Sequence, residues 1–331
     1  MPAETKELVL GGQAVIEGVM MKGPKMFSVA VRRASGEIRI RDFDIVDGSA
    51  LRVRLSKMPL VRGVVTMAAM LVIGYKALQF SADEAIEDAE AAEAAEAAEK
   101  GIAAPAPGPK KKDAGDKWAM AGAMGLALAM GIGLFFLLPH FLTVLMQRTW
   151  PTLSGSLAFN LIDGLLRVLV FVGYVGGISF MKDIRRIFQY HGAEHKVVNA
   201  YEHKAELTPE AVRAYSVLHP RCGTSFLLFV MLIGIVVFSF IPYDSPQVVK
   251  VAMKLALLPV VAGISYEVLR LTARNLDSPM FKALVAPGLV LQRLTTREPD
   301  LSQIEVALAS FVRVLPRPEA DEKEMSLVEQ A

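Results

Sequence analysis

The sequence predicts a mainly α-helical membrane protein: a bundle of four transmembrane helices with a small cytoplasmic cap that contains an N-terminal β-rich unit. Three observations carry that expectation. Of 331 residues, 53% are hydrophobic and the mean hydropathy is positive, a composition more typical of membrane chains than of soluble ones. Four apolar runs reach or approach the roughly 20 residues that a helix needs to cross a hydrocarbon core. Basic residues crowd one connecting segment: residues 182–221 hold seven Lys and Arg, whereas the two loops on the other side offer Arg148 and Lys250. By the positive-inside tendency, that segment and both termini face the cytoplasm.

Residues 1–58 read as the β-rich unit. MFSVAVRRASGEIRIRDFDI alternates apolar and polar residues around Ala34-Ser35-Gly36, a hairpin turn signal. The preceding GGQAVIEGVMMKGP is dense in glycine, with Glu17 among apolar neighbours. It reads as a set of tight turns or as a loop that touches a ligand. No signal peptide is expected, because Met1 to Leu10 lacks an apolar core.

In 59–80 the uncharged run is only Gly63 to Tyr75, which suits an interfacial or packed helix better than a span. Ser81-Ala82-Asp83-Glu84 has the capping-box pattern, so a separate Ala/Glu-rich solvated helix is expected to start there. Together with a Pro/Gly/Lys linker it fills 81–117.

The four spans follow at 118–146, 157–181, 223–241 and 251–271. The first has Gly125, Ala129 and Gly133 at close-packing spacing, and Pro139-His140 near its far end as a kink and a polar contact. The second carries Asp163 and Arg167 four residues apart, expected to pair because either charge alone is costly in hydrocarbon. A C-terminal segment, 272–331, contains the helical pattern Leu301 to Leu315. With the N-terminal unit and the 182–222 segment it could complete one cap.

The chemistry concentrates in HGAEH, His191 to His195. On a helix, positions four apart lie on one face, so two of the five histidines in the chain could grip one metal ion. His-x-x-Glu-His is the inverted-zincin arrangement, with Glu194 as general base. A catalytic zinc usually takes three protein ligands and leaves one position open. Glu267, at the cytoplasmic end of the fourth span, is the first choice for the third ligand, and His219 or Cys222 the second. The competing structural reading has His191 and His195 bonding carbonyls at the membrane interface, with Glu194 paired to Lys196 or Arg186. The single cysteine precludes an intramolecular disulfide. The net charge of +2, without a basic stripe, gives no nucleic-acid partner.

GGQAVIEGVMMKGP, FQYHGAEHKVVNAYE, HPRCGTSF, GISYEVLRL and PGLVLQRLTTREPDLSQIEVAL occur in this order. In these segments the chain resembles the YqhQ-like family of bacterial membrane proteins, and the resemblance covers nearly everything except 81–117. It implies a multi-pass protein of the bacterial inner membrane and a metal-dependent enzyme, itself a prediction for the family. The implied metal residues are His191, Glu194, His195, His219 and Cys222.

Three functional expectations result. The first is a zinc-dependent hydrolase acting at the cytoplasmic membrane surface on a membrane-associated substrate. The second is a scaffold or assembly factor whose metal is structural. The third is a transporter built on Asp163, Arg167 and His140, which at four spans per chain would call for a homo-oligomer. The lipid bilayer is the expected partner in all three.

Overall fold

In the computed structural model, residues 10–45, 50–100, 122, 125–151, 155–242 and 244–316 are described. The chain begins with a four-stranded antiparallel meander: β1 (Gly11–Val15), β2 (Gly18–Lys22), β3 (Met26–Arg32) and β4 (Ile38–Asp44). The expected hairpin is present. Gly36 adopts φ 89°, and Arg33 and Glu37 bond across the turn at 2.9 Å. Successive strand residues face opposite sides, yet β2 and β3 are buried almost throughout, because both faces of the sheet are covered.

Val19, Met21 and Ala30 share one buried cluster with Tyr190, Val197, Ile304 and Phe311 from later in the chain. Met20, Phe27, Val29 and Val31 pack on Ile73, Ala77 and Phe80 of a long helix on the other side. After α1 (Ala50–Leu55), that helix, α2, runs unbroken from Val61 to Glu99. The expected boundary at Ser81 is absent. Ser81 is buried inside the helix and donates to the Leu78 carbonyl (3.0 Å) instead of capping. Its acidic continuation is held by Arg33, which binds Glu84, Glu87 (3.0 Å) and Asp88 (2.7 Å), so the segment is docked at its base.

The remaining helices are α3 (Gly125–Thr149), α4 (Ser156–Ile178), α5 (Lys182–Glu202), α6 (Pro209–Arg213), α7 (Gly223–Phe238), α8 (Gln247–Arg274), α9 (Pro279–Thr295) and α10 (Leu301–Val314). Four helices among the described residues are long and apolar enough to cross a membrane: α2, α3, α4 and α8. This set differs from the expected four. α7 has 16 residues, a length of about 24 Å, because its helix stops at Phe238 rather than Ile241 and packs between α4 and α8. α2 qualifies by length and composition, and on one face Gly63, Ile73, Gly74, Ala77 and Phe80 are buried against protein while Tyr75 and Leu78 are exposed. The expected linker, 101–117, and residues 118–124 of the first expected span apart from Gly122 lie outside the described residues.

In α3 a π-turn, Gly133–Leu137, precedes Pro139. Proline has no N–H and crowds the preceding turn, and the widened turn absorbs that while directing His140 into the bundle. Ser156 at the start of α4 donates to the carbonyls just past the end of α7, Ser239 and Ile241 (3.2 Å each). The start of α4 and the end of α7 therefore lie together at the end remote from the sheet. α10 closes the sheet end. Asp300 and Gln303 form its capping box, and Ile304, Val306, Ala307 and Phe311 are buried in one cluster with the sheet and α5.

Candidate metal centre

The HGAEH motif lies on α5, three turns past its start, where the helix is wedged between the sheet and the segment leading out of α9. Gly192 makes this possible. A Cβ there would come within 2.1 Å of the Arg297 carbonyl oxygen, so only glycine admits the 295–298 backbone so close to the helix. Arg297 in turn donates its N–H to the Phe188 carbonyl (2.9 Å).

That approach orients both imidazoles. His191 Nδ1 lies 2.8 Å from the Thr295 carbonyl and His195 Nδ1 2.6 Å from the Val217 carbonyl. A carbonyl only accepts, so each Nδ1 carries a proton, and a ring with that proton alone presents an Nε2 lone pair on its other side. The two rings meet edge to face with centroids 4.4 Å apart. Cys222 completes the group: its Sγ is 3.3 Å from His191 Nε2, and the ligand atoms of His191, His195 and Cys222 all lie within 4.8 Å of one another. Cys222 is held as the N-cap of α7, accepting from the Thr224 N–H at 3.4 Å.

Glu194 is buried beside them. Its Oε1 accepts from the Gly12 N–H (2.9 Å) and its Oε2 lies 3.5 Å from His195 Nε2. These two atoms face each other, an arrangement that a proton on either group or a metal ion beside both would make favourable. Neither expected alternative partner reaches Glu194. Arg186 binds Glu17, and Lys196 bonds Glu298 (2.6 Å) and the carbonyls of Arg213 (2.7 Å) and Tyr215 (2.6 Å).

The structure does not bring Glu267 into this group. Both its carboxylate oxygens bind Arg62, and Oε1 also accepts from the Leu60 N–H at 3.1 Å. The cause is a close crossing of α2 and α8, in which a Cβ at Gly263 would meet the Leu60 carbonyl oxygen at 2.7 Å. His219 stands nearer, with its ring centroid 5.8 Å from that of His195, but its Nε2 pairs with Glu202 at 3.2 Å. Burial holds its imidazole below the ordinary histidine range, opposed by the Glu194 charge. Glu17 also stays outside: it sits in the β1–β2 turn at φ 53°, with Arg186 and the Tyr190 hydroxyl (3.3 Å) as partners.

Several contributors were not anticipated from sequence. Gly12 brings the glycine-rich N-terminal stretch to Glu194 through its backbone, and a glycine-dense segment ahead of a strand was the available signal. Gln292 is fully buried and clamps His219 from both sides, accepting from its N–H (2.9 Å) and donating to its carbonyl (2.8 Å). Asn199, one turn beyond His195, donates to the carbonyls of Ser216 (2.8 Å) and Leu218 (3.1 Å). These contacts fix the loop that supplies the Val217 carbonyl.

In the bundle, Asp163 pairs with Arg167 as expected (2.8 Å), and the structure adds Lys254 on the same carboxylate oxygen (2.8 Å).

Residues 58–317 match the model of a family described as "Protein of unknown function (DUF1385)". The chain is 38% identical over 307 residues to the uncharacterized protein YqhQ of Bacillus subtilis (strain 168), covering 92% of each chain. No solved structure matches. A family match spanning both the helices and HGAEH, together with a relative aligned over nearly its whole length, shows that this chain belongs to the DUF1385 family of YqhQ-like proteins.

Proposed function

We propose that the protein is a metal-dependent hydrolase of the bacterial inner membrane, with His191, His195 and Cys222 holding a divalent metal, zinc by the chemistry of its donors. One observation carries the reading. Two imidazoles, each fixed by an Nδ1–H to a main-chain carbonyl, turn their Nε2 atoms toward one thiol, with all three ligand atoms within 4.8 Å. Such outer hydrogen bonds are the usual means of fixing the tautomer of a ligating histidine. One thiolate and two imidazoles suit zinc better than magnesium or calcium.

Zinc, when bound, supplies a Lewis acid that polarises a carbonyl or phosphoryl oxygen and lowers the pKa of water. The chain's own part falls to Glu194. The Gly12 N–H fixes Oε1, leaving Oε2 to take a proton from water as it attacks and to return it to the leaving group. The substrate class is an ester, amide or phosphoester at the membrane surface, because α5 follows directly on α4 and Cys222 directly precedes α7. The basic segment 182–221 favours the cytoplasmic side for the sheet end and both termini.

Elemental analysis of the purified full-length protein tests the metal. About one zinc per chain is expected, and none in His191→Ala/His195→Ala. Glu194→Gln is expected to keep the metal and to lower hydrolysis, across an ester, amide and phosphoester panel, by about 10²- to 10⁴-fold.

The burial of Glu194, His195 and Cys222 favours a second reading, a closed structural metal that ties α5 to α7 in a scaffold. In that case Glu194→Gln is silent and the ligand variants lose folded protein. A metal-free wild type, prepared without chelator, would remove both readings.

A further inference from the structure

A second polar centre lies inside the helix bundle, toward the end remote from the sheet. Asp163 Oδ2 accepts from Arg167 (2.8 Å) and from Lys254 (2.8 Å), so one carboxylate serves two cations. All three side chains are at least nine-tenths buried. His140 is 7% exposed, with its Nδ1 3.7 Å from Asp163 Oδ1, too far for a hydrogen bond. Among the described residues, Arg167 Nε, both ring nitrogens of His140 and Asp163 Oδ1 find no hydrogen-bond partner. Aromatic rings wall the group. The Arg167 guanidinium lies 4.7 Å from the Phe136 ring, and Lys254 lies 5.3 Å from Phe159.

Two physical facts set what this centre wants. Arg167 and Lys254 against Asp163 leave an excess positive charge in a low-dielectric bundle, where an uncompensated charge is costly. The unmet groups include a guanidinium N–H, and an ammonium has three N–H groups of which one here is bonded to Asp163, so donor capacity exceeds acceptor capacity. A guanidinium edge beside an ammonium matches the spaced oxygens of an oxyanion. Lys250, one turn closer to the remote end on the same helix, lies 4.8 Å from the centroid of the Phe159 ring that Lys254 also approaches.

We infer that Arg167, Lys254 and His140 form a binding site for a phosphate-type oxyanion within the helix bundle, entered from the end where α4 and α8 begin. The same chemistry is carried by inorganic phosphate and by the phosphodiester of an anionic lipid headgroup. The site is separate from the His191–His195–Cys222 group, and neither depends on the other.

The test uses full-length protein, delipidated in a maltoside detergent and phosphate-free buffer. Inorganic phosphate is titrated by calorimetry in one arm, and phosphatidylglycerol by native mass spectrometry in the other. Wild type is expected to bind one of the two saturably, and which arm responds identifies the source. Lys254→Gln leaves the neutral Asp163–Arg167 pair, is expected to fold, and should bind at least about tenfold more weakly through loss of a charged donor. Lys254→Arg should keep binding, and Asp163→Asn, which adds to the cationic excess, should strengthen it. Wild type binding neither probe would overturn the inference and leave a closed charge cluster. Equal binding by wild type and Lys254→Gln would overturn it as well.

Discussion

The two buried polar centres of this protein are built from similar residue types and are opposite in what they leave unmet. At the sheet end, each imidazole spends its donor on a main-chain carbonyl, and the Glu194 carboxylate has only one N–H on it. Lone pairs and a thiol are left facing one another. In the bundle, two cations share one carboxylate oxygen, and a guanidinium N–H has no acceptor among the described residues. On the two proposals, the sheet-end centre suits a cation and the bundle centre an anion. Histidine, carboxylate and burial occur in both, but a thiol joins the first and two cations the second. The two also differ in which atoms the surrounding backbone has already satisfied, and this follows from where irregular main chain passes. The loop around Val217 and the 295–298 segment run beside α5, whereas the bundle centre is enclosed by helices, α3 with its π-turn among them, whose carbonyls are largely used within the helix.

The comparison breaks most completely if the sheet end is unpacked while the bundle is left alone. Phe311 is fully buried, stacks edge to face on Tyr201 at 5.2 Å, and joins α10 to the sheet and α5. Phe311→Ala is expected to cost about 3–5 kcal/mol. Hydrogen exchange should report loss of protection in the sheet, α5 and α10, and elemental analysis loss of metal. Oxyanion binding in the bundle should survive. Loss of both together would mean that the two centres are one cooperative unit.

A narrower change separates the ligands from what orients them. Gly192→Ala must push the Arg297 carbonyl away from a contact of 2.1 Å, and the Thr295 carbonyl that holds His191 moves with it. No ligand atom is altered. The expected result is a fall of about ten- to a hundredfold in metal affinity, the usual cost of losing a partner that orients a ligating histidine. Competition with a chromophoric chelator measures it. Unchanged affinity would show that the carbonyl contact is dispensable.

Local features were legible in the sequence because they depend on neighbours a few residues away. The facing of His191 and His195 follows from helical spacing, as does the Asp163–Arg167 pair, and the Gly36 turn follows from its residue types. The C-terminal pattern from Leu301 gave a helix and its buried face for the same reason. Contacts across long separations were not legible. Gly12 meets Glu194 across 182 residues through a backbone N–H that every residue except proline possesses, so no side chain advertises it. Lys254 joins Asp163 from another helix, where hydropathy treats it only as an interruption. Ser81 carries a sound capping pattern but lies where Ala77 and Phe80 pack on the sheet, and that packing carries the helix through. Spacing and membrane depth put Glu267 ahead of His219 and Cys222 for the third ligand position, and only side-chain partners place Cys222 rather than Glu267 beside the two histidines.

Glu267 gives the smallest effect and the sharpest discrimination. It is a carboxylate near the sheet-side end of α8 and the one that spacing and depth favoured as a ligand, yet both its oxygens are turned to Arg62 and the Leu60 N–H. The Arg62 and Glu267 side chains are each about a quarter exposed, so water screens the pair and its loss should lower the melting temperature only slightly. Glu267→Gln keeps the shape, still accepts from Leu60, and should leave metal stoichiometry and chelator competition at wild-type values. The change should instead appear where α2 begins, as faster hydrogen exchange around Val61 to Thr66. A drop in metal content in a folded Glu267→Gln variant would mean that this carboxylate leaves Arg62 to join the histidines. The arrangement described here would then be only one of two states of the sheet end.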